Sequence, residues 1–388
     1  MLCVNDDTAT DPSQRQLKDY PLNKLYIALK IILLSSSMGM PAAFAVELPS
    51  LDAGCDGGTT TCSVTSTLGT DFDVTSSINA PGHAINADAT VTGSTFTVGS
   101  GVTVAGGITS AGFNFASGSS ANTITNDGTI QGGHGINFNS GNDFTVINNG
   151  LIDSNGGAAF YGLGNFGSGF TLTNNEGATI SGSHTVIDGV LSSGGVTINN
   201  AGAITPDDGS GGVAIKLFGS NNTINLNTSS AITGDIQLAT GQTNNTINLL
   251  GGSAATGTFS NYVNSNTINL LNINAPGKEW DISGTLPVAG AIHLQSGNVL
   301  LTGTLTNSGT GGTTINSGSS FQVGNGGTTG VLNDTVINDG TLTFNRSDDV
   351  TFTDDISGTG NVVQAGTGLT NLAGSGTWMI SSLKTVPA

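Results

Sequence analysis

Apolar and polar residues alternate along most of this chain in short bursts of four or five positions. Thr123-Ile-Thr-Asn126 and Thr145-Val-Ile-Asn148 are two of them. Alternation with a period of two sends successive side chains to opposite faces of an extended strand. Val102 and Val104 are expected to face inward with Thr103 outward; Leu342 and Phe344 repeat the arrangement around Thr343. Between the bursts lie Gly, Asn and Ser, which favour turns. The same residues, with Thr, are poor helix formers. The pattern predicts an all-β chain.

The bursts also recur as one phrase: an alternating strand, Asn-x-Gly, then another apolar residue. It appears at Asn126-Asp-Gly128, Asn148-Asn-Gly150, Asn175-Glu-Gly177 and Asn200-Ala-Gly202, with steps of 22, 27 and 25 residues. A variant, Thr-Ile-Asn-Leu, begins at Thr223, Thr246 and Thr267. The first form resumes at Asn316-Ser-Gly318 and Asn338-Asp-Gly340. A step in the low twenties fits one coil of a parallel β-helix, with coils stacked at the strand spacing of about 4.8 Å. The Asn and Gly positions are expected to supply left-handed backbone at a corner. Asn at one place in every coil is expected to stack as a hydrogen-bonded ladder. The longer step marks a loop insertion, such as Phe160-Tyr-Gly-Leu-Gly-Asn-Phe166. Residues 85–378 hold roughly a dozen coils, on the order of 60 Å of stack. An antiparallel barrel or sandwich is the rival, but it predicts hairpins instead of one phrase at a steady step.

Composition narrows the function. Of 388 residues, 60 are Gly, 9% are charged and 36% are hydrophobic. Typical domains carry about 25% charged residues, so this surface is mostly uncharged and polar. The net charge is -18. Arg15, Lys18, Lys24 and Lys30 precede residue 46; beyond it stand four basic residues against 22 acidic ones. Such a surface cannot hold phosphate backbones by counterion release, which excludes nucleic acid as a partner. The plain meaning of the charge is solubility.

Residues 1–45 read as a leader. Lys24 and Lys30 flank an apolar run, and Ala43-Phe44-Ala45 fits the small-x-small pattern for cleavage after Ala45. The run is too short and interrupted to read as a membrane span, although an anchor stays the alternative. Four Asp residues between positions 6 and 19 suit a signal poorly, and Leu22-Asn23-Lys24 reads as the true start. Residues 46–84 form an N-terminal segment in which Cys55 and Cys62 flank a Gly-Gly turn, so a local disulfide is expected. Two thiolates without a nearby His leave zinc short of ligands.

No catalytic or cofactor constellation stands out. Gly162-x-Gly164-x-x-Gly167 lacks the following helix of a dinucleotide site. Asp208-Gly-Ser210 resembles the nucleophile turn of serine peptidases only loosely. His83, His134, His184 and His293 are isolated from any Ser–Asp partner in sequence. Asp207-Asp208, Asp348-Asp349 and Asp354-Asp355 are carboxylate pairs of the kind used by β-helical lyases and glycosidases. Solvated turn residues are their plainer reading. The calcium-binding nonapeptide of β-roll toxins is absent from the sequence.

Gly312-Thr-Thr-Ile-Asn-Ser-Gly318, Phe321-Gln-Val-Gly-Asn-Gly-Gly327, residues 336–348 and Ile356-Ser-Gly-Thr-Gly-Asn-Val-Val-Gln-Ala-Gly366 resemble the passenger region of bacterial autotransporters, including its passenger-associated repeat. The resemblance is specific over residues 312–370 and looser over 85–311. It implies a right-handed parallel β-helix in a Gram-negative cell. It also implies export by the inner-membrane secretion machinery, display at the cell surface, and adhesive contacts with host cells, matrix or other copies. Many passengers are adhesins or act in aggregation and biofilms, and no enzyme activity is expected here. The family's translocator barrel does not fit the remaining residues, so residues 379–388 read as a truncated tail. A separately encoded barrel would restore surface display; otherwise the product stays in the periplasm. The alternatives are a carbohydrate-active β-helix enzyme and a periplasmic remnant of a broken gene.

Overall fold

The computed structural model describes residues 61–382, apart from 65–70, 89–90, 163–168, 190–193, 261, 263–267 and 377–378. The chain divides into two compact units, residues 1–49 and 50–388, and every described residue belongs to the second. The leader, Ala43, Ala45, Leu22 and Cys55 lie outside the described residues. Among those described, no helix is long and apolar enough to cross a membrane.

Every strand pairing among the described residues is parallel, which removes the hairpin-based rival. The pairings build a β-solenoid of about 12 turns. Over the first half of the described residues, each coil contributes one strand to each of three sheets. The first sheet runs from Cys62–Val64 through Ile85–Ala87, Ala111–Phe115, His134–Phe138, Phe160–Gly162, Thr185–Gly189 and Val213–Leu217 to Asp235–Leu238. The second includes Asp71–Val74, Thr95–Val98, Thr123–Asn126, Thr145–Asn148, Thr171–Asn174, Thr197–Asn200, Thr223–Asn227 and Thr246–Leu250. The third runs from Ile78–Asn79 to Ala231–Ile232. The stack is already present at Cys62, so residue 85 is not a break in it. Met379–Ser382, within the segment read as a tail, pairs with Asn361–Gln364 and continues the ladder.

The alternation does what its period demands. Strands of the second and third sheets repeat a half-buried, buried, half-buried, buried pattern. Thr123, Thr145, Thr171, Thr197, Thr223 and Thr246 stand in direct register on the outside. Their following residues, from Ile124 to Ile247, stack inside and are fully buried. Burying one such side chain stabilises by about 1.5–3 kcal/mol. A single coil has nothing to bury it against, so the stack is the folding unit.

The core changes character along the axis. From Phe72 to Phe170 it is aromatic: Phe72 stacks on Phe96 at 5.0 Å, and Phe138 meets Phe144 edge-on at 4.8 Å. Beyond Leu172 it is largely aliphatic, with Trp280 and scattered aromatics such as Phe259, Phe321 and Phe344. Trp280 is fully buried and donates its indole N–H to the Leu250 carbonyl at 3.2 Å. A Cβ on Gly257 would lie 2.8 Å from the Trp280 ring, which explains the glycine there. In this region the strands lengthen to Ile268–Ile282 and Thr285–Leu301 and run through the corners.

The variant phrase is corrected in its third copy. Asn225 and Asn248 stand in register, but Asn248 pairs with Asn272 and not with Asn269. Leu270-Leu-Asn-Ile273 alternates as well as Thr267-Ile-Asn-Leu270 does, so sequence pattern alone does not choose between them. Asn269 instead holds the corner, where its side-chain carbonyl accepts the Asn245 N–H at 2.9 Å.

Candidate functional site

The Asn ladder lies inside one corner of the solenoid. Asn126 Nδ2 donates to Asn148 Oδ1 at 2.8 Å, Asn148 to Asn174 at 2.9 Å, and Asn174 to Asn200 at 2.8 Å. The second amide hydrogen reaches a corner carbonyl: Leu151 for Asn126, Thr179 for Asn148 and Ala203 for Asn174. The four side chains are at most 2% exposed. A primary amide buried this deeply must use its donors and acceptor, and stacking identical amides does so.

Asn174, not Asn175, is therefore the ladder residue of its coil. Asn175 is half-buried one place further on, where its amide donates to Asn149, as Asn149 does to Asp127. The same distinction separates Asn316 from Asn338. Ile315 is the register partner of Asn338, while Asn316 is exposed. Asn-x-Gly thus covers two different corners. In the shorter one the Asn is buried and its Gly (Gly128, Gly150, Gly202, Gly340) has no left-handed φ. A Cβ on Gly150 would lie 2.0 Å from the Gly128 carbonyl oxygen, and one on Gly340 2.4 Å from that of Ser319. Close backbone approach, not turn conformation, demands glycine there. In the longer corner Gly177 and Gly318 do adopt left-handed φ values of 84° and 83°, with nothing within 4 Å of the place a Cβ would take.

A second corner, just before the outward Thr row, was not read from the sequence. Gly93, Ala121, Asp143, Gly169, Gly195, Asn221 and Asn244 all have positive φ there, from 54° at Ala121 to 94° at Gly169. Asn122, Asn222 and Asn245 follow at the next place and are buried; Asn269, half-buried, takes the same part in its coil. Each accepts a main-chain N–H from the preceding coil, at 2.9 to 3.1 Å. The signal was the short polar or Gly residue two places before each Thr strand, diluted by Ala121.

The carboxylates serve neighbouring coils. Asp339 Oδ1 accepts both the N–H and the hydroxyl of Thr359, at 2.9 and 2.8 Å, and these donors hold its carboxyl below the ordinary range. Asp355 binds Ser375 in the same way, and Asp349 accepts the Leu369 N–H at 2.7 Å. Each bracket spans 20 residues, one coil. Asp348 forms a two-point ion pair with Arg346, at 3.0 and 2.7 Å, which lowers its pKa. Arg346 is 7% exposed and also donates to the Gly330 and Thr328 carbonyls, fastening the loop between them. Asp334 is buried, which raises its pKa; Thr313 and Asn307 donate to its Oδ2.

Asp208 meets His184 at 2.6 Å on the open surface. His83 Nδ1 accepts the Ala111 N–H at 2.9 Å, which requires that nitrogen to be unprotonated. Burial, then the nearby His134, lowers the His83 pKa. His134 stacks on Tyr161 at 4.4 Å. His293 stands in register after Asn272 on the second sheet. Cys62 is disulfide-bonded, and Cys55 lies outside the described residues. Gly164 and Gly167 of the glycine-rich segment lie outside them as well. Among the described residues, no group of three His, Cys, Asp or Glu could hold a metal ion.

Two outward faces differ in chemistry. The second sheet presents the Thr row and, beside it, an amide row in which Asn225, Asn248 and Asn272 each donate to the preceding Asn at 2.6 to 3.0 Å. The first sheet brings Tyr161, Asp188, Lys216 and Gln237 into one outward row from four coils, in register with the buried Asn137. Sequence reading missed this row because its members share no motif and lie 21 to 28 residues apart.

No family model matches the chain, and no solved structure matches it. Over 55 residues, 14% of the chain, it is 46% identical to the "Adhesin BmaC autotransporter" of Brucella suis biovar 1 (strain 1330). That stretch is 2% of the length of the Brucella protein. By fold the chain is a parallel β-solenoid, and over this short stretch it is similar to an autotransporter adhesin.

Proposed function

We propose that this chain is an exported, non-enzymatic passenger that acts as an adhesin-like surface protein. The carrying observation is the long parallel solenoid with outward rows of Thr and Asn, joined to the short similarity with an autotransporter adhesin. A repeated polar face offers many hydrogen-bonding groups on a rigid support, which suits contact over an extended area. The carboxylates support the non-enzymatic part. Asp339, Asp348, Asp349 and Asp355 are engaged in bonds between coils or to Arg346. The leader sequence supports export.

The purified chain is expected to bind host cells or matrix, or to aggregate bacteria when displayed on their surface. Absence of binding and of aggregation would overturn the adhesive reading. Depolymerisation of a polysaccharide by the same preparation would overturn the non-enzymatic one.

A further inference from the structure

The outer face of the first sheet carries a shallow depression. Lys216 and Phe218 are two places apart and face outward together, with Lys216 Nζ 5.9 Å from the Phe218 ring centroid. That distance is within cation–π range. In the next coil Gln237 is the register partner of Lys216, and Leu238 that of Leu217, which sets Ala239 beside Phe218. The step down from a phenyl ring to a methyl group opens a groove of about 240 Å³, lined by Lys216, Phe218, Gln237, Ala239 and Thr240. In the preceding coil Asp188 is the register partner of Lys216.

A carboxylate, an ammonium and an amide therefore stand side by side at the strand spacing of about 4.8 Å, next to one aromatic wall. One acidic and one basic residue leave the row without net charge, and a chain of net charge -18 does not attract polyanions. What remains is a set of alternating acceptors and donors beside a flat apolar surface. The groove is smaller than the roughly 300–1,000 Å³ of sites for drug-sized ligands, so it takes a single ring.

We infer that this groove binds a neutral hexopyranose unit of a surface glycan. The C–H face of the sugar packs on Phe218, and its hydroxyls bridge the Lys216 ammonium and the Gln237 amide. With Asp188 one coil away the row carries no net charge, so the sugar needs none of its own. The inference rests on the adhesive reading for its biological setting alone.

The test uses saturation-transfer NMR and calorimetry on the purified chain with glucose, galactose, mannose and N-acetylglucosamine as separate probes. At least one sugar is expected to bind. Lys216→Met and Phe218→Leu are each expected to weaken that binding about tenfold or more, a loss of about 1.4 kcal/mol. Ala239→Phe fills the groove without removing a polar group and is expected to abolish binding at an unchanged melting temperature. Thr129→Ser, on the third sheet, should bind the sugar as the parent does. The proposal is overturned if none of the four sugars binds, if the three groove variants bind normally, or if only carboxylated or sulfated sugars bind. Cell adhesion that survives Ala239→Phe takes the groove out of adhesion and leaves the adhesive reading intact. Sugar binding without cell adhesion does the reverse.

Discussion

Glycines that look alike in sequence serve different physical needs in this chain. Gly340 is required because the coil below it occupies the space of a Cβ; Gly318 is required because its φ is left-handed. Substitution separates the two. Gly318→Ala should cost about 1–2 kcal/mol, and Gly318→Asn less, because Asn tolerates that conformation. Gly340→Ala and Gly340→Asn should both cost about 2–3 kcal/mol or more, because backbone must move. Urea titration of the four variants checks the contrast; equal costs for the two Asn variants would contradict it. Ala121 sits at φ 54° where its counterparts are Gly, Asn or Asp. Ala121→Gly should therefore raise stability by roughly 1 kcal/mol, read in the same titration. The phrase Asn-x-Gly was legible in the sequence, but its two meanings were not. The discriminating fact is whether the residue before the Asn is itself the buried one. Asn174 and Ile315 are, and nothing local in the sequence says so.

Within a single strand or corner, inward and outward places were legible from the two-residue period. Thr103 and Thr343 are outward as the alternation requires. Register between coils was less so. The third copy of Thr-Ile-Asn-Leu reads three residues early, because two alternating segments overlap there. The ladder itself was foreseeable, and its energetics follow from its satisfaction. Asn148→Leu leaves a donor of Asn126 and the acceptor of Asn174 without partners, which should cost about 2–4 kcal/mol. Asn200→Leu, at the end where Leu226 already follows, should cost less. The acid–base groups act in opposite senses. Asp339 and Asp348 have lowered pKa values, so their contribution is present above the ordinary carboxylate value and is lost as pH falls through the lowered one. Asp334 is raised, so its contribution is present below that value and is lost as pH rises. His83 and His134 are lowered from 6.5; their contribution is present above 6.5 and lost as pH falls below it. The melting temperature should therefore drop as pH falls below 6.5. His83→Asn, which keeps an acceptor for the Ala111 N–H and cannot titrate, should flatten part of that drop. An identical slope in parent and variant would remove His83 from the account.

At the level of the whole molecule, stability is a sum over neighbours, because each coil touches only the coils above and below it. The loss caused by Asn148→Leu should thus stay local. Hydrogen exchange should accelerate in the coils around Asn126 and Asn174 and remain at parent rates near Asp339 and Asp355. Acceleration along the entire stack would instead show one global cooperative unit. The solenoid class was legible from the sequence because it is written as a period. The first-sheet row of Tyr161, Asp188, Lys216 and Gln237 was not, because folding assembles it from unrelated segments. The Asn ladder has one last implication, which concerns how such a gene changes length. Asn126 and Asn148 are 22 residues apart and occupy equivalent places. An in-frame loss of residues 127–148 would join Asn126 to Asn149-Gly150 and recreate the same corner, with the donor of Asn126 again facing Asn174. A tandem duplication of that segment would insert one more rung. Unequal recombination can therefore shorten or extend this protein by whole coils while every surviving amide of the buried ladder keeps a partner.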